Sequence, residues 1–96
     1  MKIATWNVNS IAVRMPHVLQ WLETSQTDVL CLQETKCTDD KFPAAELLTH
    51  GFNSAFMGQK SYNGVAILSR HPIDDVQFNF PDDTPESPKR LIAATI

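Results

Sequence analysis

Val29, Leu30, Cys31 and Leu32 form an unbroken apolar run that ends abruptly in Gln33, Glu34, Thr35 and Lys36. A short continuous apolar stretch reads as a strand covered on both faces, the kind found inside a parallel sheet. This constrains the chain more than any other feature, because parallel strands need a crossover connection, usually a helix. Glu34 falls where the strand leaves the core. Open α/β sheets collect ligand chemistry at the carboxyl ends of their strands, so a carboxylate there is a candidate metal ligand or general base. The plain alternative is a solvated strand end beside an ordinary surface lysine.

The residues before this run supply the rest of a β-α-β unit. Lys2 to Val8 reads as a first strand, with Ile3, Trp6 and Val8 as strand formers, and Asn7-Val8-Asn9-Ser10 ends it in polar turn residues. Met15, Val18, Leu19 and Leu22 recur at helical spacing, and Pro16 fits a first-turn position, where its missing N–H costs little. Thr24 to Thr27 is a polar exit, and Asp28 opens the buried strand. Such units set their strands parallel with a right-handed crossover. Both carboxyl ends then lie at one sheet edge, which brings Asn7 and Glu34 to a common rim if the strands are neighbours.

Downstream, Thr38-Asp39-Asp40 offers cap residues for a helix from about Phe42 to Thr49, with Pro43 in its first turn and Gly51 as its stop. Phe52 to Met57 alternates through Phe52, Ser54 and Phe56 as a strand with one buried face. Residues 58–63 are polar and turn-rich, and Gly64 to Ser69 is the next strand, joined to the last as a hairpin. Pro72 breaks the chain, and Asp75 to Phe80 is a further strand. Pro81 to Pro88 is acidic, holds three prolines and reads as an exposed loop. Arg90 to Ile96 is again strand-like. Two helices cannot cover about six strands on all faces, so the pattern suggests the first part of a larger α/β fold stopped at a strand.

The totals narrow the function classes. A chain of 96 residues makes one small domain with a modest core. A formal charge of −3 gives no global basic field, so any nucleic acid must be bound locally. Cys31 and Cys37 are too few for a disulfide framework and match no zinc spacing, which makes a reduced, cytoplasmic setting the default. No apolar run is long enough to span a bilayer, and the N-terminus starts in strand-like sequence rather than a signal peptide. His17, His50 and His71 are dispersed, and there is no Walker loop, dinucleotide fingerprint or nucleophile elbow.

What remains is oxygen chemistry at the rim. Mg²⁺ prefers oxygen ligands and often takes one or two carboxylates plus waters and substrate phosphate. Glu34 with Asn7 suits such a weak site, and Asn9 is a third nearby oxygen. The plain reading for Asn7 is a strand-end asparagine bonded to its own turn. Arg14 and Lys36 are the cations nearest the rim and can reach phosphate oxygens. Tyr62 and Asn63 sit in the hairpin beside Gly64, where they either touch a nucleic-acid backbone or serve as ordinary turn residues.

Three segments carry a resemblance. Thr5-Trp6-Asn7-Val8-Asn9-Ser10, Leu32-Gln33-Glu34-Thr35-Lys36 and Tyr62-Asn63-Gly64-Val65-Ala66 resemble the opening motifs of the exonuclease III family of apurinic/apyrimidinic endonucleases. That family lies within the endonuclease/exonuclease/phosphatase superfamily. Phe42-Pro43, Gly58-Gln59-Lys60 and Arg90-Leu91-Ile92 fit as well, so the match covers essentially the whole chain in order.

The resemblance implies a four-layer α/β/β/α sandwich, of which residues 1–96 would be the N-terminal part of a single domain. It implies a DNA-repair nuclease that hydrolyses phosphodiesters at abasic sites and 3′ ends of duplex DNA with Mg²⁺, or Mn²⁺ in its place. Glu34 would ligate the metal, and Asn7 would bind it or orient nearby groups. Gln33 and Lys36 would support them, with Arg14, Tyr62 and Asn63 towards the DNA backbone. Full-length members are expected as monomers, with no membrane partner.

Two departures matter. Many members carry a basic residue just before Arg14, where this chain has Ala12-Val13. The family's remaining catalytic set comes later in its chain, so these residues alone are expected to be inactive. The alternatives are another phosphodiesterase or phosphatase of the superfamily, or a non-catalytic interaction fragment that self-associates through an exposed sheet edge.

Overall fold

The computed structural model describes residues 1–78, 84 and 87–96. Strand β1 (Ile3–Asn7), helix α1 (Ile11–Ser25) and strand β2 (Val29–Gln33) form the expected β-α-β unit. A short 3₁₀ turn (Asp39–Lys41) and helix α2 (Ala44–Thr49) lead into strands β3 (Asn53–Met57) and β4 (Val65–Ser69). Strands β5 (Asp74–Phe78) and β6 (Ile92–Thr95) follow.

The larger sheet has the order β1-β2-β4-β3, and β5 pairs with β6 in a second sheet. β1 and β2 are parallel, with Asn7 opposite Gln33. β4 runs antiparallel to both β2 and β3, so the expected hairpin is present and β2 stands between a parallel and an antiparallel neighbour.

Helix α1 covers one face of this sheet. Ile11, Met15, Val18 and Leu22 are buried and join Leu30, Leu32, Ala66 and Leu68 in one core cluster. Pro16 departs from expectation: it lies inside the helix rather than in its first turn. The helix begins earlier because Ser10 caps it, its Oγ accepting from the Val13 N–H at 3.4 Å. Pro16 leaves the Ala12 carbonyl without its usual helical donor. Ala12 and Pro16 are both on the exposed side, where water can replace that bond.

Helix α2 is shorter than expected, and Phe42 and Pro43 precede it. Phe42 stacks on Phe56 with ring centroids 4.1 Å apart, which fixes the turn against β3. Gly51 ends the helix with φ +87°, as its position suggests.

β3 is not a one-faced strand. Ala55 and Met57 are buried, while Ser54 and Phe56 on the opposite face are half-buried. All five residues of β4 are buried. The cause is the second sheet, because β6 packs against β4 on the side away from α1. Asn79 and Phe80, placed above in the β5 strand, lie outside the described residues. Of the Pro81 to Pro88 loop, Thr84 and Pro88 are exposed and Ser87 is half-buried; the others are not described.

Candidate active site

Three loops meet where β1 and β2 leave the sheet, and backbone hydrogen bonds lace them together. The N–H groups of Val8, Ser10 and Ile11 donate to the carbonyls of Gln33, Glu34 and Thr35 at 3.0, 2.9 and 3.0 Å. Across the other side, Thr35 N–H donates to Gly64 O at 3.2 Å and Lys36 N–H to Asn63 O at 2.9 Å. Thus the exit of β2 is clamped between the β1–α1 loop and the β3–β4 hairpin.

That exit is conformationally unusual. Glu34 and Lys36 take left-handed backbone angles, φ +54° and +56°, as do Asn9 at +47° and Asn63 at +51°. Non-glycine residues adopt this region at a cost of order 1 kcal/mol or more, and the surrounding bonds must hold them there. Gly64 is required for a separate reason. Its φ is +91°, and a Cβ there would stand 2.1 Å from the Thr35 hydroxyl. Thr35 itself is buried, while Glu34 and Lys36 on either side keep 44% and 31% of their side-chain surface exposed.

Asn7 and Glu34 are in contact. The Asn7 side-chain Nδ2 donates to Glu34 Oε2. The amide is held in this sense because Asn7 Oδ1 accepts from the Asn9 N–H at 3.1 Å. Asn7 is therefore bonded to its own turn and to the carboxylate at once. Lys36 completes the cluster, its Nζ donating to Asn9 Oδ1 and standing 3.7 Å from Glu34 Oε1. Gln33 is tied back to β1 by a 2.7 Å bond from Nε2 to Thr5 Oγ1.

Beside this cluster lies a cleft of about 430 Å³ lined by Asn7, Gln33, Glu34, Asn63, Gly64, Val65, Lys89 and Arg90. Among these residues Glu34 is the one carboxylate, and there is no histidine. No group of three or more His, Cys, Asp or Glu gathers anywhere among the described residues. A single carboxylate backed by neutral oxygens fits a hard cation that keeps most of its waters, and fits poorly with zinc. Glu34 lines the cleft with 44% of its side-chain surface exposed and Oε1 3.7 Å from Lys36 Nζ, and its carboxylate is the group disposed to hold such an ion.

The other sequence-derived positions divide. Asn63 lines the cleft. Tyr62 is 69% exposed at the hairpin and does not line it. Arg14 is carried into a neighbouring groove of about 420 Å³ with Trp6, His17, Gln20, Trp21 and Thr24. There Trp6 and Trp21 meet edge to face at 6.4 Å. Lys89 and Arg90 reach the cleft without having been singled out as site residues. The available signal was the Arg90-Leu91-Ile92 segment, but only the second sheet delivers it to this edge.

Comparison with known proteins agrees with this architecture. The model of the endonuclease/exonuclease/phosphatase family matches residues 4–94. The chain is 35% identical over 97 residues to exodeoxyribonuclease III of Haemophilus influenzae, covering 100% of this chain and 36% of that protein. It is 36% identical over 73 residues to a DNA-(apurinic or apyrimidinic site) endonuclease 2 of Xenopus laevis, covering 73% of this chain and 14% of that protein. Among solved structures it resembles a 3′ phosphatase, NExo, from Neisseria bound to product DNA hairpin. The TM-score there is 0.95 and the identity 51%, over 100% of this chain and 37% of that one. An AP endonuclease from Archaeoglobus fulgidus gives a TM-score of 0.93 at 46% identity, over 100% of this chain and 37% of that one. The chain spans little more than a third of the length of these relatives at most, and corresponds to the N-terminal part of their fold. With a family match over residues 4–94 and the same fold over the whole chain, the chain belongs to the endonuclease/exonuclease/phosphatase family.

Proposed function

We propose that residues 1–96 form the metal-holding part of a single nuclease domain of exonuclease III type. The whole protein would hydrolyse phosphodiesters at abasic sites and 3′ ends of duplex DNA, in the cytoplasm, with Mg²⁺ or Mn²⁺. The observation that carries this reading is the Asn7–Glu34 contact at the shared carboxyl edge of β1 and β2, opening on a cleft.

In this reading Glu34 is the protein's carboxylate ligand and Asn7 orients it. The Asn7 amide fixes one carboxylate oxygen, Oε2, while Oε1 stands 3.7 Å from Lys36 Nζ. A bound Mg²⁺ supplies charge stabilisation to a phosphoryl group. Lys36, held by Asn9, is paired with the carboxylate, and the Gln33–Thr5 bond keeps β1 and β2 aligned at the rim. The cleft lining offers no second carboxylate or histidine to take a proton from an attacking water. The isolated chain is therefore expected to bind metal weakly and cleave little or no DNA.

The test uses the isolated chain with abasic and gapped duplexes. Mg²⁺ should raise its melting temperature slightly, Glu34→Ala should abolish that response, and cleavage should stay at background. Robust EDTA-sensitive cleavage that vanishes in Glu34→Ala would show the catalytic set to be complete here. No Mg²⁺ response in the unaltered chain would remove Glu34 as a ligand.

A second reading shares the cleft but not the substrate. A relative is described as a 3′ phosphatase with product DNA hairpin, which favours a 3′ phosphomonoester as a substrate of the whole protein. Comparing abasic DNA, 3′-phosphate ends and phosphoinositides in the whole protein decides between them. A non-catalytic role rests on the edge strand β1, whose Ile3 is 65% exposed. Concentration-dependent association without DNA affinity supports that role, and salt-dependent DNA binding counts against it.

A further inference from the structure

Lys89 and Arg90 lie in the segment that leads into β6, yet they are fastened to the hairpin beside Glu34. Lys89 N–H donates to Gln59 Oε1 at 2.8 Å, and Lys89 O accepts from Gly64 N–H at 3.0 Å. These two bonds, one to each backbone polar group of Lys89, set where Arg90 emerges. The Gln59 side chain has a second task, because its Oε1 also accepts from Asn63 Nδ2 at 3.2 Å. That contact turns Asn63 Oδ1 outward, and Arg90 Nε donates to it at 3.4 Å. Asn63 holds this position with a left-handed backbone, φ +51°.

The consequence is an arginine gripped by one nitrogen. Its two terminal nitrogens have no carboxylate or carbonyl partner among the described residues. Lys36 differs, because its ammonium is already engaged by Asn9 and Glu34. Arg14 lies in another groove. A pre-oriented planar fork is the side chain best matched to two oxygens of a phosphate, and anchoring it beforehand lowers the ordering cost of binding. With a net charge of −3, the chain needs such a local cation to hold a polyanion.

We propose that Arg90 is a phosphate-binding residue of the Glu34 cleft, with Asn63 and Gln59 as its positioning residues. Its ligand is a backbone phosphate of a DNA strand lying across the cleft. The inference rests on the nuclease reading of that cleft and adds to it where the strand is gripped.

The experiment is ¹⁵N NMR titration of the whole 96-residue chain with a short DNA hairpin carrying a recessed 3′ end, at several salt concentrations. The Arg90 Nε–H and the Asn63 and Gly64 amides should shift saturably. Arg90→Met should weaken binding about tenfold and lower the slope of log affinity against log salt by about one contact's worth, ~0.9. Arg90→Lys should keep the slope and lose affinity several-fold, because the charge stays and the fork goes. Asn63→Gly keeps the left-handed backbone available, removes the anchor, and should also lose affinity at unchanged slope. An unchanged slope and affinity in Arg90→Met would overturn the proposal, as would an unaltered chain that shows no shifts with DNA. Either result leaves the Mg²⁺ response of Glu34 standing as a separate measurement. Loss of that response alone would sink the nuclease reading while the phosphate contact held.

Discussion

The two ends of the larger sheet use polar side chains in opposite ways. At the end where β2 begins and β4 finishes, the polar groups of Arg70, Asp28 and Lys2 have structural partners. Arg70 donates from Nε to Thr27 O at 2.9 Å and from Nη2 to Leu22 O at 3.0 Å, and its guanidinium lies 4.6 Å over the Phe52 ring. Asp28 accepts from the Lys2 N–H at 2.7 Å, and Lys2 Nζ donates to Ser25 O at 2.7 Å. At the carboxyl edge the backbone is laced as tightly, but Glu34 and Arg90 keep donor or acceptor capacity facing solvent. One end closes the fold. The other keeps a rigid frame around an exposed carboxylate and a guanidinium held by one nitrogen, which is what ligand binding requires.

If that contrast is right, the most damaging single change lies in the frame of the open end. Gly64→Ala puts a methyl group 2.1 Å from the Thr35 hydroxyl, at φ +91°. The combined clash and backbone strain should cost about 2–4 kcal/mol in urea denaturation. A stability within 1 kcal/mol of the unaltered chain, a threshold of about one ordinary mutation, would mean that the three loops yield easily. Next comes the closed end. Arg70→Met removes two carbonyl partners and a ring contact, and should cost about 2 kcal/mol. It should leave the Mg²⁺ response untouched. A lost metal response in Arg70→Met would break the separation of the two ends.

Much of this arrangement is written in local pattern. The apolar run at Val29–Leu32, the helical spacing after Ser10 and the polar stops at Asn7 and Glu34 place both side chains at one edge provided the two strands are neighbours, and the β1–β2 pairing meets that condition. Three things were not readable. Pro16 looked like a helix start, because sequence alone does not show that Ala12 is solvated and can spare a bond. The strand at Phe52–Met57 looked one-faced, because the sheet that covers its other side is formed by residues far along the chain. Arg14 is one of the cations nearest the rim in sequence, and its place on α1 puts it in the Trp6–Trp21 groove. Arg90 shows the converse: distant in sequence and delivered by tertiary packing.

A smaller effect sharpens the contrast from the functional side. Glu34 holds φ +54°, a region where glycine has no steric penalty. Glu34→Gly should leave stability unchanged or raise it by ~0.5–1 kcal/mol, while the Mg²⁺-induced rise in melting temperature disappears. The paired control is Glu34→Ala, which loses the metal response without relieving the backbone. If both variants are equally and clearly destabilised, the Asn7–Glu34 contact is part of the structural frame rather than a site held against strain.

The smallest effect belongs to pH and to the closed end. The Asp28 carboxyl is held below its usual range, chiefly by the Lys2 N–H, with help from the amino-terminal charge and His71. A carboxylate depressed in the folded state stabilises the fold above its unfolded pKa, and that contribution is lost as pH falls through the folded value. The urea midpoint should therefore decline between about pH 5 and about pH 3, the range around an ordinary aspartate, and Asp28→Asn should flatten part of that decline. Because the amide cannot accept as a charged group, the variant should start lower at neutral pH and converge on the unaltered chain in acid. A constant gap between the two curves would place the acid sensitivity elsewhere. It would also mean that the closed end owes its order to Arg70 and the packing around Phe52 rather than to charge.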